Sequence, residues 1–249
     1  VNMVDVTRAR EVARILAIRD RMSSLGHVAA GIAHEIRNPL SVINIYVDSA
    51  DQLLEHGFDK EGLKDVLERI QSASSKIESV IRRVMDFSKP SEPIMVRLDI
   101  NKPIEDALSL SSVTLRKAGI TLETDLARDL PPCLGDYQLI EQVVLNLVTN
   151  AAEAMKGAKT GKKIRVCSQS KGGRTILVSV ADSGPGVPLD LARKIFDPFF
   201  TTKVNSTGIG LSLCQRIVKD HGGTMRLSAG TLGGAEFSFT IPASTRREE

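Results

Sequence analysis

Residues 142–155 read QVVLNLVTNAAEAM. Apolar side chains recur there at helical spacing, and Asp136 just upstream supplies a start signal, which predicts an apolar helix over 136–155. Asn146 and Asn150 break the apolar run and, four apart, share one helix face. Amides among apolar neighbours need hydrogen-bond partners. A shared ligand, such as the hydration shell of a metal ion, therefore competes with plain surface exposure. Around this helix the elements alternate. Residues 101–117 form a helical pattern opening NKP, with Asn101 as the expected cap and Pro103 near the first turn. ITLETDL (120–126) alternates like a strand, and two more strands at 163–169 and 174–181 flank the tight turn KGGR. A helix follows at about 208–220, and two final strands surround GTLGGA (230–235). No glycine loop follows the first strand, so the pattern predicts an α/β two-layer sandwich and not a doubly wound sheet.

Upstream the texture changes. Ile15, Ile18, Met22, Leu25, Ala29, Ile32 and Ile36 follow a heptad seam, and Leu63, Val66, Ile70, Ala73, Ile77, Val80, Val84 and Phe87 follow a second. The short connection EHGFDK (55–60) predicts an antiparallel helical hairpin. One hairpin buries a single stripe per helix, so a homodimer closing a four-helix bundle is expected. Pro39 should bend or loosen the first helix. KPSEP (89–93) marks the boundary between the halves. The expected organisation is a coiled-coil helix over 1–22, a helical-hairpin domain over 23–90, a linker over 91–98 and the α/β domain over 99–249.

The 249 residues are 42% apolar and 25% charged, ordinary for a globular chain, and with 4% aromatics the cores must be aliphatic. A net charge of +3 is too mild to predict a nucleic-acid partner. Cys133, Cys167 and Cys214 are far apart and odd in number, and read as reduced thiols in a reducing compartment, not a metal site or disulfide frame. No apolar run reaches bilayer length, which with the thiols predicts a cytoplasmic location. The chain opens on Val1, so a membrane contact is expected only through a segment upstream.

Four stretches carry chemistry. In GIAHEIRNPL (31–40), the heptad that places Ala29 and Ile32 on the seam turns His34 outward, with Arg37 and Asn38 on the same surface. A neutral imidazole is available near pH 7, and Glu35 could hold the proton on one ring nitrogen and leave the other as nucleophile. A solvated histidine beside a helix-favouring Glu is the plainer alternative. ADSGPGV (181–187) follows a strand, and Asp182 with Gly184 and Gly186 permits a tight turn and close backbone approach to a ligand. FDPFFTTK (196–203) is expected to expose three phenylalanines in a proline-broken loop, which is costly unless they cover something. STGIGLSL (206–213) sets Gly208 and Gly210 at a helix start, where backbone N–H groups can bind phosphate.

Taken in this order, the motifs resemble the transmitter region of sensor histidine kinases over residues 22–242. GIAHEIRNPL matches the phosphoacceptor box, Asn146 and Asn150 the N box, and Asp182, Gly184 and Gly186 the first glycine box. Phe196, Phe199 and Phe200 match the F box, Gly208 and Gly210 the second glycine box, and Gly233 and Gly234 resemble the last. The resemblance implies a Bergerat-type (GHKL) ATP-binding fold behind the dimerisation and histidine phosphotransfer domain, with 1–22 as a signal helix. It implies ATP and Mg2+ as cofactors, phosphorylation of His34, and transfer to an aspartate of a response regulator receiver domain. By the same resemblance Asp182 binds the adenine amino group, Asn150 holds Mg2+, and Asn146 helps organise metal and phosphates. Residues from about 189 to 207, including Phe200, form a lid. Glu35 is the implied general base, and Asn38 the residue that orients water when the regulator is dephosphorylated. Many relatives carry Lys where this chain has Glu153, so the phosphate cation is expected from Lys203. A gyrase- or chaperone-type ATPase would account for 136–242 but leave the hairpin and His34 unexplained.

Overall fold

The computed structural model describes residues 32–33, 36–53, 55, 60–88, 93–158, 161–198, 200–203 and 208–244. The chain divides into two compact units. One comprises Val1–Ser91 with Thr201–Ile209, the other Glu92–Phe200 with Gly210–Glu249.

The helical unit holds α1 (36–53) and α2 (Lys60–Ser88). Helix α1 runs through Pro39, whose ring is buried. The two helices meet where Arg69 Nη1 donates to Tyr46 Oη at 3.1 Å, its guanidinium 5.5 Å from that ring's centroid. Since 46 and 69 lie almost equally far from the connection at 55–60, this contact fits the antiparallel hairpin. Along α2 the seam positions Val66, Ala73 and Val80 are buried, and Leu63, Ile70 and Ile77 half-buried. The first seam from Ile15 to Ala29, and the side chain of Val84 with that of Phe87, lie outside the described residues.

The α/β unit is a five-stranded sheet covered on one face by helices. Its strands are β2 (Thr121–Leu126), β4 (Lys163–Lys171), β5 (Thr175–Asp182), β6 (Met225–Ala229) and β7 (Ala235–Pro242), in the order β2-β4-β5-β7-β6. All pairings are antiparallel except β2 with β4. Alternation along each strand puts Ile164, Val166, Ile176, Val178, Val180, Phe237, Phe239 and Ile241 on the buried face. Helices α3 (Asn101–Lys117), α4 (Tyr137–Ala154) and α5 (Gly210–Asp220) supply the opposing apolar stripes, through Ile104, Leu115, Val144, Leu147 and Ile217. The two-layer sandwich expected from the sequence is the fold observed.

Three local features depart from the sequence reading. Asn101 is not the cap of α3. It is the first helical residue, its backbone N–H goes to Asp99 Oδ1 at 3.0 Å, and its buried amide donates to Ala127 O and accepts from Ser168 Oγ, both at 2.8 Å. An amide that joins the end of β2 to the middle of β4 is worth more there than at an exposed cap. The stretch 91–98, expected as linker, ends in a short strand, β1 (Val96–Leu98), which pairs with β3 (Cys133–Gly135) in a separate two-stranded sheet. Three-residue strands are too short to show a period in sequence. Phe196 is not exposed in its loop but packs edge-on against Phe237, centroids 6.3 Å apart.

Candidate functional site

Strand β5 ends at Asp182, and the chain leaves the sheet through Ser183, Gly184, Pro185 and Gly186. The Asp182 side chain is nearly sealed, 3% exposed. Its Oδ1 accepts the N–H of Gly184 at 2.8 Å and of Ala235 at 3.3 Å, and its carbonyl accepts the N–H of Gly234 at 3.1 Å. Two amides on one oxygen fix the plane of the carboxyl group. This arrangement tolerates no side chain at 234. A Cβ there would lie 2.2 Å from Asp182 Oδ1, 2.5 Å from its carbonyl and 2.6 Å from Gly184 N. Gly186 takes φ +75°, the left-handed region that glycine enters freely. At Gly184 a Cβ would meet Asp182 Oδ1 at 2.9 Å and touch Ala154 Cβ and Met155 Cγ at 3.4 Å, so the C-terminal end of α4 abuts the turn. Ser183 Oγ ties the turn back to the sheet by accepting from Lys163 N–H and donating to Gly161 O, both at 2.9 Å.

Helix α4 starts as predicted, with Asp136 as cap. Its Oδ1 accepts the N–H groups of Gln138 and Leu139 at 3.1 and 3.2 Å. Asn146 and Asn150 are half-buried on one face, beside the buried Val143, Leu147 and Ala151. The Asn146 amide hydrogen-bonds the Cys214 thiol on α5, and Cys214 Sγ donates to Val143 O at 3.8 Å. Complete burial pushes that thiol up to about 12. Among the described residues the Asn150 amide makes no side-chain hydrogen bond.

Gly210 opens α5, and Gly208 before it takes φ +64°. Lys203 and Gly208 belong to the segment grouped with the helical unit, where the N–H of Lys203 donates to Thr201 Oγ1 at 3.0 Å. Phe200 is half-buried. His34 and Glu35 lie outside the described residues, as does Phe199, and Asn38 is exposed on α1. The structure thus brings Asp182, Gly184 and Gly186 together with Gly234 and the end of α4, and sets Asn146 against α5. No group of three His, Cys, Asp or Glu among the described residues could hold a metal ion, and no described helix is long and apolar enough to cross a membrane.

Sequence reasoning missed His221. It is 4% exposed, and its Nε2 accepts the backbone N–H of Asp136 at 2.9 Å. The signal was available in the HGG that ends the last helical pattern. A Cβ at Gly223 would lie 1.7 Å from Thr240 O, so the chain must approach its neighbour closely there.

Two family models match the chain. The His Kinase A (phospho-acceptor) domain covers residues 24–93. The histidine kinase-, DNA gyrase B- and HSP90-like ATPase covers residues 135–245. The signal transduction histidine-protein kinase AtoS of Escherichia coli K12 is 35% identical over 96% of this chain, which corresponds to 38% of AtoS. The C4-dicarboxylate transport sensor protein DctS of Rhodobacter capsulatus is 32% identical over 97% of the chain and 38% of its own length. This chain therefore spans well under half of those two relatives. Among solved structures, histidine kinase ThkA in complex with response regulator protein TrrA superposes with a TM-score of 0.78 at 32% identity, covering 95% of this chain and 67% of that one.

Proposed function

The chain belongs to the sensor histidine kinases, and from that premise we propose that it phosphorylates His34 from ATP and passes the phosphoryl group to an aspartate of a response regulator receiver domain. One observation carries this reading. The carboxyl group of Asp182 is held at the floor of a glycine turn by two backbone N–H groups on Oδ1, in the same chain as a phosphoacceptor box. A fixed carboxylate suits recognition of an exocyclic amine, here the adenine amino group of ATP. Half-buried amide oxygens are hard donors of the kind Mg2+ takes, so Asn150, assisted by Asn146, fits a metal site beside the phosphates. Mg2+, when bound, would offset negative charge on the transferring group. Lys203 contributes the cation that Glu153 cannot, Gly208 and Gly210 offer backbone N–H groups to phosphate, and Phe200 belongs to the covering lid.

His34 attacks the γ-phosphorus, ADP leaves with the electron pair of the broken P–O bond, Glu35 takes up the imidazole proton, and positioning supplies most of the acceleration. Asn38, exposed one turn on, orients the water that dephosphorylates the regulator. ThkA was solved with a response regulator, which supports the choice of acceptor. The proposed functional division is 23–90 for dimerisation and phosphotransfer, a connection over 91–98 whose last three residues are β1, and 99–249 for ATP binding. Leu40, Val42, Ile45 and Val47 on α1 and Leu67, Ile81 and Met85 on α2 are exposed apolar groups that a homodimeric bundle would cover. We place this transmitter in the cytoplasm, as part of a longer sensor. The test is transfer of label from γ-labelled ATP. His34→Gln should abolish acid-labile labelling while nucleotide binding survives, and His27→Gln should leave it intact. The reverse pattern would remove the assignment of His34.

A further inference from the structure

The carboxylate of Asp136 is fully engaged. Besides the two N–H groups of its own helix on Oδ1, its Oδ2 accepts from Ile94 N–H at 2.8 Å. In a capping box, the side chain at the third helical position returns a hydrogen bond to the backbone N–H of the cap. In α4 that position is Leu139, which has no acceptor. The N–H of Asp136 goes instead to a side chain from elsewhere, Nε2 of His221, at 2.9 Å. The other ring nitrogen, Nδ1, lies 2.7 Å from Ile217 O. A backbone N–H can only donate and a carbonyl only accept, so the ring proton sits on Nδ1 and Nε2 is the acceptor. Gly135 leaves space for the ring. A Cβ at Gly135 would already stand 3.2 Å from its Cδ2 and 2.7 Å from Ile140 Cδ1.

This contact fastens the start of α4 to the end of α5. A second contact, Cys214 Sγ on Val143 O, fastens them again seven residues further along both helices. Equal spacing on the two helices means that they run antiparallel in one register. Continued along the pair, that register puts Gly210, the first residue of α5, level with Leu147, between Asn146 and Asn150. We propose that His221 is a positioning residue of the nucleotide site, outside it but setting the axial position of α5 against α4. It thereby holds the N-terminus of α5 at its working distance from the two asparagines. The proposal rests on the reading of this site as one for ATP.

The experiment uses the full chain and compares His221→Leu, His221→Asn and His221→Gln with Ile120→Ala, a cavity at the buried residue between α3 and β2. Melting temperature, affinity for a fluorescent ATP analogue and the KM for ATP are measured for each. A glutamine amide oxygen reaches the place of Nε2, whereas asparagine reaches only that of Nδ1. His221→Leu and His221→Asn should therefore weaken nucleotide affinity about tenfold. His221→Gln should recover most of it, and Ile120→Ala should lose stability without losing affinity. Should His221→Leu not fold, the asparagine–glutamine pair decides. Affinity that follows melting temperature across all four variants, or glutamine no better than asparagine, would overturn the proposal. Ring nitrogen shifts of His221 that place its proton on Nε2 would do so as well. A wild-type chain that binds no ATP analogue at all would remove the nucleotide reading itself, and the proposal with it.

Discussion

Helix α4 has 18 residues and buries Ile140, Val143, Val144, Leu147, Val148 and Ala151 within its own chain. Helix α2 has 29 residues, and among its described side chains only Val66, Ala73 and Val80 are buried. The difference lies in what each helix packs on. A sheet offers α4 a broad apolar face, flanked by α3 and α5. A helical hairpin offers α2 one narrow stripe and leaves groups such as Ile45 61% exposed. The unit proposed to bind nucleotide closes its core alone, whereas the helical unit leaves apolar groups that the proposed second copy would cover. The proposed chemistry divides along the same line, with the Asp182 turn on the closed unit and His34 in the sequence of the open one.

The largest expected effect tests the open half. Ile70 sits on the seam of α2, and Ile70→Lys would bury an ammonium with no partner when two hairpins close. Such a charge costs several kcal/mol, so dimerisation should weaken by at least about 1000-fold. Nucleotide affinity should stay unchanged. Sedimentation and nucleotide titration of one preparation read both. A wild type already monomeric at micromolar concentration would break the comparison, because the exposed stripe would then need another cover.

Asp182→Ala is the counterpart on the closed half. Removing a charged hydrogen-bond acceptor from a buried pocket should weaken nucleotide binding about 100-fold, with the dimer intact. A variant that keeps its affinity would show that the turn after β5 is not the base-recognition site. If it lost the dimer as well, the two units would not be separable.

The sequence carried the layers, the strands β2, β4, β5, β6 and β7, and the cap at Asp136, because these rest on period and on local chemistry. It could not show β1 or β3, since three residues carry no period and their pairing spans more than thirty positions. Asn101 was misplaced because its partners, Ala127 and Ser168, lie on other elements, and a buried polar network is visible only when those elements meet. Within the site, Asp182 and the glycines were legible from their motif. Why Gly234 must be glycine was not, because the atom it makes room for lies 52 residues away. His221 escaped for the same reason.

Gly234→Ala sharpens this point with a smaller effect. The added methyl would collide with the carboxyl group and backbone of Asp182, so the start of β7 must shift, at a cost of about 1–3 kcal/mol. Nucleotide affinity should fall along with the melting temperature. Gly233→Ala is the control. Gly233 has φ +93° with no atom within 4 Å of its would-be Cβ, so the change strains the backbone without touching Asp182. Equal losses of affinity in the two variants would mean that backbone strain in the loop, and not the close approach to Asp182, controls the site.

The smallest effect appears only in alkali and again separates the halves, because all three cysteines lie in the α/β unit. Burial pushes the thiol of Cys133 up to about 11 and that of Cys214 up to about 12, from an ordinary value near 9. Folded and unfolded chains both keep these protons at neutral pH, so the shifts contribute nothing there. Above pH 9 the unfolded chain releases them and the folded one holds them. The unfolded state then binds fewer protons, and stability falls as pH rises, until each folded thiol ionises in turn. The unfolding equilibrium should shift by up to roughly tenfold per pH unit per thiol across that window. Urea midpoints of the α/β unit taken at pH 8, 9 and 10 should therefore decline, and Cys214→Ala should decline less steeply. Tyr137 does not confuse the lower part of the range. Its hydrogen bond to Asp106 raises it to about 12 from an ordinary 10, so its contribution begins a unit later. Helix α2 and the described part of α1 hold no cysteine, and the hairpin dimer should keep its midpoint over the same range. An equal alkaline decline in both halves would show that the two units unfold as one. The sealed core of the α/β unit would then not be independent of the helices that precede it.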